Sequence, residues 1–374
     1  MIAADAETRQ TGLPVPQEAS AVPTWQQQLA SAVRDPLELL ALLDLAPADL
    51  GPGVTAEGLA AAARSFPLRV PRGLISRMRR GDPRDPLLRQ VLALPEELAA
   101  VDGYSTDPLE ESRVRDAPGL LQKYAGRALL VTTGACAVHC RYCFRRHYDY
   151  GADQEEGQPR WNPALERLAA DPATGEVILS GGDPLSLGNA RLGSLLARLA
   201  ALPHLKRLRL HTRTPVVLPE RVDAGLLAQL APWRERLVIV VHANHAAEID
   251  TTVATALRAL ASHAAAVLNQ SVLLAGVNDD SGVLADLSER LFAAGVLPYY
   301  LHQLDRVQGA AHFAVDDATA LRLHSELIAR LPGYLVPRLV RELPGEPGKT
   351  PLATLAAAQR DQGQRELLTV PGFT

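Results

Sequence analysis

The chain contains three cysteines, all within eight residues, at positions 136, 140 and 143. Cys136-x3-Cys140-x2-Cys143 sets three thiolates on one short loop, a spacing that can wrap an iron–sulfur cluster. A [4Fe–4S] cube has four irons, so three cysteines leave one iron open to bind and reduce a small molecule. Zinc is the competing reading. Structural zinc prefers four ligands; no fourth cysteine exists, although His139 and His147 could supply nitrogen. A second feature is Ser180-Gly181-Gly182-Asp183-Pro184. Glycines without side chains let the backbone approach a ligand closely, and Asp183 could accept from a ligand ammonium. Taken alone, the same residues make an ordinary strand-to-helix turn. A third is Pro344-Gly345-Glu346-Pro347-Gly348-Lys349-Thr350-Pro351, a shaped loop that presents one lysine. A lysine amine can form a Schiff base with pyridoxal phosphate. On this loop alone, an exposed lysine is the plainer reading. Glu346, inside the loop, has no derivable role.

These features must be held by something, and the hydropathy pattern says what. From about residue 124, short apolar runs alternate with amphipathic stretches. Strands are expected at Ala128–Thr133, Glu176–Ser180, Arg207–Thr212, Leu237–His242, Val267–Leu274 and Leu297–His302. Strand–helix alternation predicts an α/β fold with a parallel sheet covered on both faces. Six such units suggest a curved partial barrel, with a flat doubly wound sheet as the alternative. Each run ends in polar chemistry: Thr133-Gly134-Ala135-Cys136, Gly181-Gly182-Asp183, His211-Thr212-Arg213, His242-Ala243-Asn244-His245 and Gln303-Leu304-Asp305; the fifth carries Asn269-Gln270-Ser271 inside it. In α/β barrels the site forms at the C-terminal rim of the strands. Upstream, residues 1–23 read as a flexible tail and 24–120 as a helical N-terminal region, with helical spacing from Trp25 to about Leu50. Residues 121–343 form the barrel, and 344–374 the lysine loop and a short C-terminal segment.

Composition narrows the function classes. Of 374 residues, 47% are hydrophobic and 21% charged, enough for a large core and against gross disorder. The formal charge of -4 argues against a generally basic nucleic-acid binder. No run of about 18 apolar residues occurs, so no membrane helix is expected. The N-terminus lacks a secretory pattern, and clustered cysteines argue against a disulfide framework. A reducing cytoplasm is the expected location.

The cysteine loop after a first strand and the Ser-Gly-Gly-Asp-Pro element resemble the radical S-adenosylmethionine (SAM) superfamily. Together with the late Pro-Gly-x-x-x-Lys-Thr-Pro loop, they resemble its lysine 2,3-aminomutase family. LLVTTGACAVHCRYCFRRHY, VILSGGDPLSL, TRTPVVLPERV, NQSVLLAGVNDD and YYLHQLDRVQGAAHF carry the likeness over roughly residues 70–355. The resemblance implies a radical SAM partial (β/α)6 barrel and three cofactors: a [4Fe–4S] cluster on Cys136, Cys140 and Cys143, SAM on its open iron, and pyridoxal phosphate on Lys349. It implies that a 5′-deoxyadenosyl radical drives an amino group from the α- to the β-carbon of lysine. Gly181, Gly182 and Asp183 would contact SAM, and Arg145 the substrate carboxylate. Asp305 would hold the side-chain ammonium, with Glu342 where the second aspartate of free-lysine enzymes falls. Arg127 would lie on the phosphate side. Gln270, His242 and Asn244 are plausible rim contacts, assigned to neither cofactor; satisfied structural polar groups are an equal reading.

Within the family, a bacterial branch makes (R)-β-lysine for the modification of translation elongation factor P. The Gly-Glu-Pro-Gly-Lys loop resembles that branch, and no cysteine follows Lys349, whereas free-lysine enzymes carry a longer, zinc-binding C-terminal region. The expected partners are lysine, elongation factor P with its lysyl ligase, a reductant such as flavodoxin or ferredoxin, and a second copy of the chain in a homo-oligomer. The alternatives are a free-lysine 2,3-aminomutase, an aminomutase for glutamate or another amino acid (opposed by Asp305 and Glu342, whose charges would face an acidic side chain), and a non-catalytic iron–sulfur or zinc module.

Overall fold

The structure is a computed structural model that describes residues 23–155, 158–159 and 161–358. The tail expected over 1–23 lies, but for Pro23, outside the described residues, as does the C-terminal segment from 359 onward.

Ten strands form one sheet whose spatial order follows the chain. They are β1 (Arg115–Ala117), β2 (Leu120–Tyr124), β3 (Arg127–Thr133), β4 (Glu176–Gly181), β5 (Arg207–Thr212), β6 (Leu237–Val241), β7 (Ala266–Val272), β8 (Leu297–His302), β9 (Arg338–Arg341) and β10 (Thr350–Pro351). Neighbours from β3 to β9 are parallel. The outer strands β1, β2 and β10 pair antiparallel. All six expected strands are present, their ends within two residues of expectation. The β1–β2 hairpin was not anticipated, because Leu-Leu-Gln-Lys-Tyr is short and follows neither alternation nor a continuous apolar run.

A strand order that never reverses has a consequence. Right-handed crossovers that always step the same way leave every helix on one face. Helices Asn189–Ala200, Thr251–Ala261 and Ser281–Ala293 contribute Leu192, Leu195, Leu257, Leu260 and Leu291 to a core shared with Leu208, Leu210, Ile239 and Val267 of the strands. The other face carries Arg209, His211 and Gln270 and lines a cavity. Helices of the strand–helix units therefore cover one face of this sheet, and the cavity lies on the other. β5 and β7 alternate in burial instead of being apolar throughout.

The sheet curls. β2 and β9 stand seven strand spacings apart in the order, about 34 Å if the sheet were flat. Yet Lys123 of β2 reaches Glu342, the residue after β9, at 2.9 Å. A flat doubly wound sheet does not allow that contact.

The N-terminal region is helical, as expected, but in short pieces. Trp25–Ala30 and Pro36–Leu42 replace one continuous helix. Val33 leaves the helix to bridge Val70, Asp35 caps the second helix ahead of Pro36, and Leu37 is left exposed. The core of this region, including Leu39, Leu59, Leu74 and Leu88, takes in Ala137 and Val138 of the cysteine loop. Among the described residues no helix is long and apolar enough to cross a membrane.

Candidate active site

A cavity of ≈ 450 Å³ opens on the concave face of the sheet. Its walls carry Cys136, Cys140, Cys143, Arg127, Arg145, Gly181, Gly182, Asp183, His242, Gln270, Asp305, Glu342 and Lys349. Every candidate residue thus reaches one cavity, although the chain separates some of them by more than half its length.

The cysteine loop leaves β3 and is anchored by its other side chains. Arg141 forms a two-pronged pair with Glu97 (2.8 and 2.6 Å), and Arg146 joins the same carboxylate at 2.7 Å. Both guanidinium groups lie over Phe66, at 4.7 Å. Fully buried pairs of this kind fix geometry more than they add stability. On the cavity side, Arg213 Nη1 donates to Cys140 Sγ at 3.0 Å. Burial and the neighbouring Asp183 push the Cys136 thiol well up; burial and Cys140 push the Cys143 thiol up to about 11. Among the described residues no three or more His, Cys, Asp or Glu side chains converge as they would on a single metal ion.

The glycines have a packing role that sequence alone did not suggest. Gly181 has φ +114°, and a Cβ there would meet Thr133 O at 2.8 Å. A Cβ on Gly182 would sit 2.4 Å from Ala135 O. Gly182 N and Asp183 N donate to Thr133 O and Ala135 O at 2.7 and 2.8 Å. The loop after β4 is therefore laced to the start of the cysteine loop. Gly182→Ala is expected to destabilise the fold by about 1–3 kcal/mol through overpacking and to displace the cysteine loop, checked by thermal unfolding. An unchanged midpoint would contradict this contact.

Asp183 is engaged by its own chain. Its carboxylate accepts from Leu185 N (2.9 Å), Thr212 Oγ1 (2.7 Å), Arg213 N (2.8 Å) and Thr214 N (2.9 Å). It ties the β4 loop to the end of β5, where an acceptor for a ligand ammonium was expected. Asn244 is likewise satisfied. Its amide nitrogen donates to Gln90 Oε1 and Tyr142 Oη, and its oxygen accepts from Val272 N. This is the structural reading of Asn244.

Arg145 is buried, and its two-pronged edge is taken. Nε and Nη2 donate to Glu111 at 2.7 and 2.8 Å, and Nη1 donates to Ser180 Oγ at 3.0 Å. Burial opposes its charge, but Glu111 outweighs that and holds the proton above the ordinary arginine range. Glu111 was invisible in the sequence, one glutamate of a polar stretch.

Several cavity atoms have no partner. Nε2 of His211, His242 and His302, Oε1 of Gln270 and Nε of Arg209 are buried without a hydrogen bond among the described residues. Burial holds all three histidines neutral, His242 down to about 3 and the others well below the usual range. Unpaired buried groups are costly, so this wall is built for a polar ligand. Arg127 lies 4.8 Å from the Tyr124 ring at the entry of β3.

The lysine loop is a hairpin turn. β9 and β10 pair Arg341 with Thr350, which sets Glu342 opposite Lys349. Lys349 Nζ meets Glu342 Oε2 at 2.5 Å, and Lys123 Nζ meets Oε1 at 2.9 Å. Tyr124 Oη donates to Oε1 at 3.3 Å. Although burial opposes the charge, the two lysines hold the Glu342 carboxyl well below its usual range. Asp305 faces the same space with no hydrogen-bond or ion-pair partner among the described residues. Burial, and then Glu342, push it up to about 7. Glu346 is exposed on the turn. Lys123 went unnoticed in the sequence.

No protein-family model matches the chain. Curated relatives do. An L-lysine 2,3-aminomutase of Escherichia coli (strain K12) is 50% identical over 332 residues, covering 88% of this chain and 94% of the relative. That of Haemophilus influenzae is 45% identical, covering 87% and 94%. That of Clostridium subterminale is 33% identical, covering 79% and 71%. Identity of this depth over most of each chain shows that the protein belongs to the L-lysine 2,3-aminomutase family, a family of isomerases.

Proposed function

We propose that this chain is a radical SAM, pyridoxal phosphate-dependent aminomutase that converts (S)-α-lysine to (R)-β-lysine, and that the product serves modification of elongation factor P. The curled sheet is read as the partial (β/α)6 barrel of radical SAM enzymes. One observation carries the reading: three thiols from the loop after β3 and a lysine from the hairpin after β9 share a cavity in which His211, His242, His302, Gln270 and Arg209 each carry a buried polar atom without a partner. The donor set fits the cofactors. Cys136, Cys140 and Cys143 would hold the cluster. Lys349 would carry pyridoxal phosphate, with Arg127 and Gln270 among the groups available to it. Gly181, Gly182 and Asp183 line the same cavity and would contact SAM, with His242 a wall residue open to either cofactor. When bound, these groups supply a 5′-deoxyadenosyl radical and a carbonyl that carries the migrating amine. The protein orients and excludes water. Ser180, Glu111 and Phe144 hold Arg145 at the cavity wall, where it would meet the substrate carboxylate. The acidic end of the cavity receives the side-chain ammonium. The higher identity to the Escherichia and Haemophilus relatives than to the clostridial one accords with the elongation factor P branch.

The test is anaerobic incubation of reconstituted protein with SAM, pyridoxal phosphate, dithionite and lysine, followed by chiral chromatography. (R)-β-lysine is the expected product. 5′-Deoxyadenosine without β-lysine would move the substrate elsewhere, and neither product with an intact cluster would overturn the reading.

Asp305 adds a pH signature. Only its ionised form attracts an ammonium, and its carboxyl is pushed up to about 7. The preference for lysine over norleucine, which lacks the side-chain nitrogen, should therefore rise by about tenfold from pH 6 to pH 8. His211, His242 and His302 are already neutral there. Spectral titration of the cofactor-loaded protein at each pH checks this; a flat ratio would exclude Asp305 as the receptor.

A further inference from the structure

The two acids at the far end of the cavity are not equivalent. Both Glu342 oxygens are occupied, Oε2 by Lys349 and Oε1 by Lys123 and Tyr124. The Asp305 carboxylate lines the cavity with no such partner among the described residues. The hairpin sets Glu342 directly across from Lys349, and Lys123, arriving from the opposite edge of the sheet, pins the carboxylate from the other side.

Lys349 Nζ is paired with Glu342. On the aminomutase reading above, it returns to that state in every turnover. When a substrate amine takes the cofactor carbon, the bond from that carbon to Lys349 nitrogen breaks. The bond to the substrate α-nitrogen would form, and two protons given up by the α-ammonium would pass to Lys349 Nζ, which with the proton it already carries would become an ammonium. A new cation then stands inside a buried site, where an unpaired charge is costly. From this geometry we infer that Glu342 is the counter-ion that holds Lys349 while it is detached from the cofactor, with Lys123 fixing Glu342 in place, and that Asp305 alone receives the side-chain ammonium of the substrate. Glu342 is thus a positioning residue for Lys349. A glutamate suits this role because its arm spans the hairpin to meet both lysines, one on each oxygen. The division also leaves every cation beside a carboxylate. Lys123 and the detached Lys349 share Glu342, and the substrate cation is matched by Asp305.

The experiment measures lysine and norleucine affinities by spectral titration of the cofactor-loaded protein without reductant, and turnover separately. Wild type should prefer lysine by about 30-fold, the worth of one charge-assisted contact. Asp305→Asn should reduce that preference to within about threefold of unity. Glu342→Gln should keep it within about threefold of wild type, the scatter of independent sites, while turnover falls about tenfold or more and borohydride still fixes the cofactor at Lys349. Loss of the preference in Glu342→Gln, or unchanged turnover, would overturn the inference and leave the aminomutase reading standing. Should Glu342→Gln not fold, Lys123→Met decides. A preserved ratio supports the inference, whereas a ratio raised about tenfold, from a freed Glu342 oxygen binding substrate, overturns it. A wild type with no preference for lysine would overturn both this inference and the function on which it rests.

Discussion

Lys349→Ala is expected to lower turnover by about a thousandfold or more, as loss of a covalent anchor that acts as a unit with its neighbours does. It should also remove the chain position at which borohydride fixes pyridoxal phosphate. The effect is specific because the fold has little reason to fail. Lys349 sits on a hairpin turn, and Glu342, its partner, keeps Lys123 at 2.9 Å and Tyr124 at 3.3 Å. Peptide mapping after reduction is the decisive measurement, because the cavity holds a second amine on the same carboxylate. Fixation at Lys349 in wild type, and its absence in the variant, bears the assignment out. Fixation at Lys123 in wild type would move the cofactor to the other side of Glu342 and turn Lys349 into the counter-ion's second partner.

Cys140→Ala is expected to abolish both cluster assembly and turnover. With three protein thiolates holding a four-iron cube, loss of one leaves two irons without a chain ligand. Cys140 has a second duty: its sulfur receives Arg213 Nη1 at 3.0 Å, and Arg213 Nη2 donates to Gln90 and Glu248 at 2.7 and 2.8 Å. Removing the sulfur leaves that guanidinium with its carboxylate and amide partners, so the loop's anchorage survives and the loss reports on iron. Iron content and the EPR signal of the reduced protein are the readouts. An intact cluster signal in the variant would overturn the ligand assignment. Retained cluster with lost turnover would instead make Cys140 a group that orients SAM.

Much of this was legible before any coordinates. The six central strands could be read from short apolar runs bounded by polar rims, because strand burial on the helix side leaves a hydrophobic signature in the chain. The cysteine spacing, the glycine turn and the lysine loop could be read because each depends on residues close in sequence. The helical N-terminal region was legible as a class but not in its breaks. The Val33–Val70 bridge was decided by long-range packing, whereas Asp35-Pro36 is a local cap.

What tertiary structure alone decided is which groups meet. Glu111 opposite Arg145, Glu97 beneath Arg141 and Arg146, and Lys123 on Glu342 join residues 34 to 219 positions apart. Periodicity in a sequence records which face of an element is buried, not what arrives there from elsewhere. The same holds for Asp183 and Gly182. Their residue types mark a tight turn, but only the approach of the cysteine loop shows that the turn holds that loop in place. The sequence determined the chemistry available to this protein, because side-chain type and local spacing are written in it. The curl of the sheet decided how that chemistry is divided, because it brings the two edges together and lets one carboxylate be shared by two lysines while another stays open.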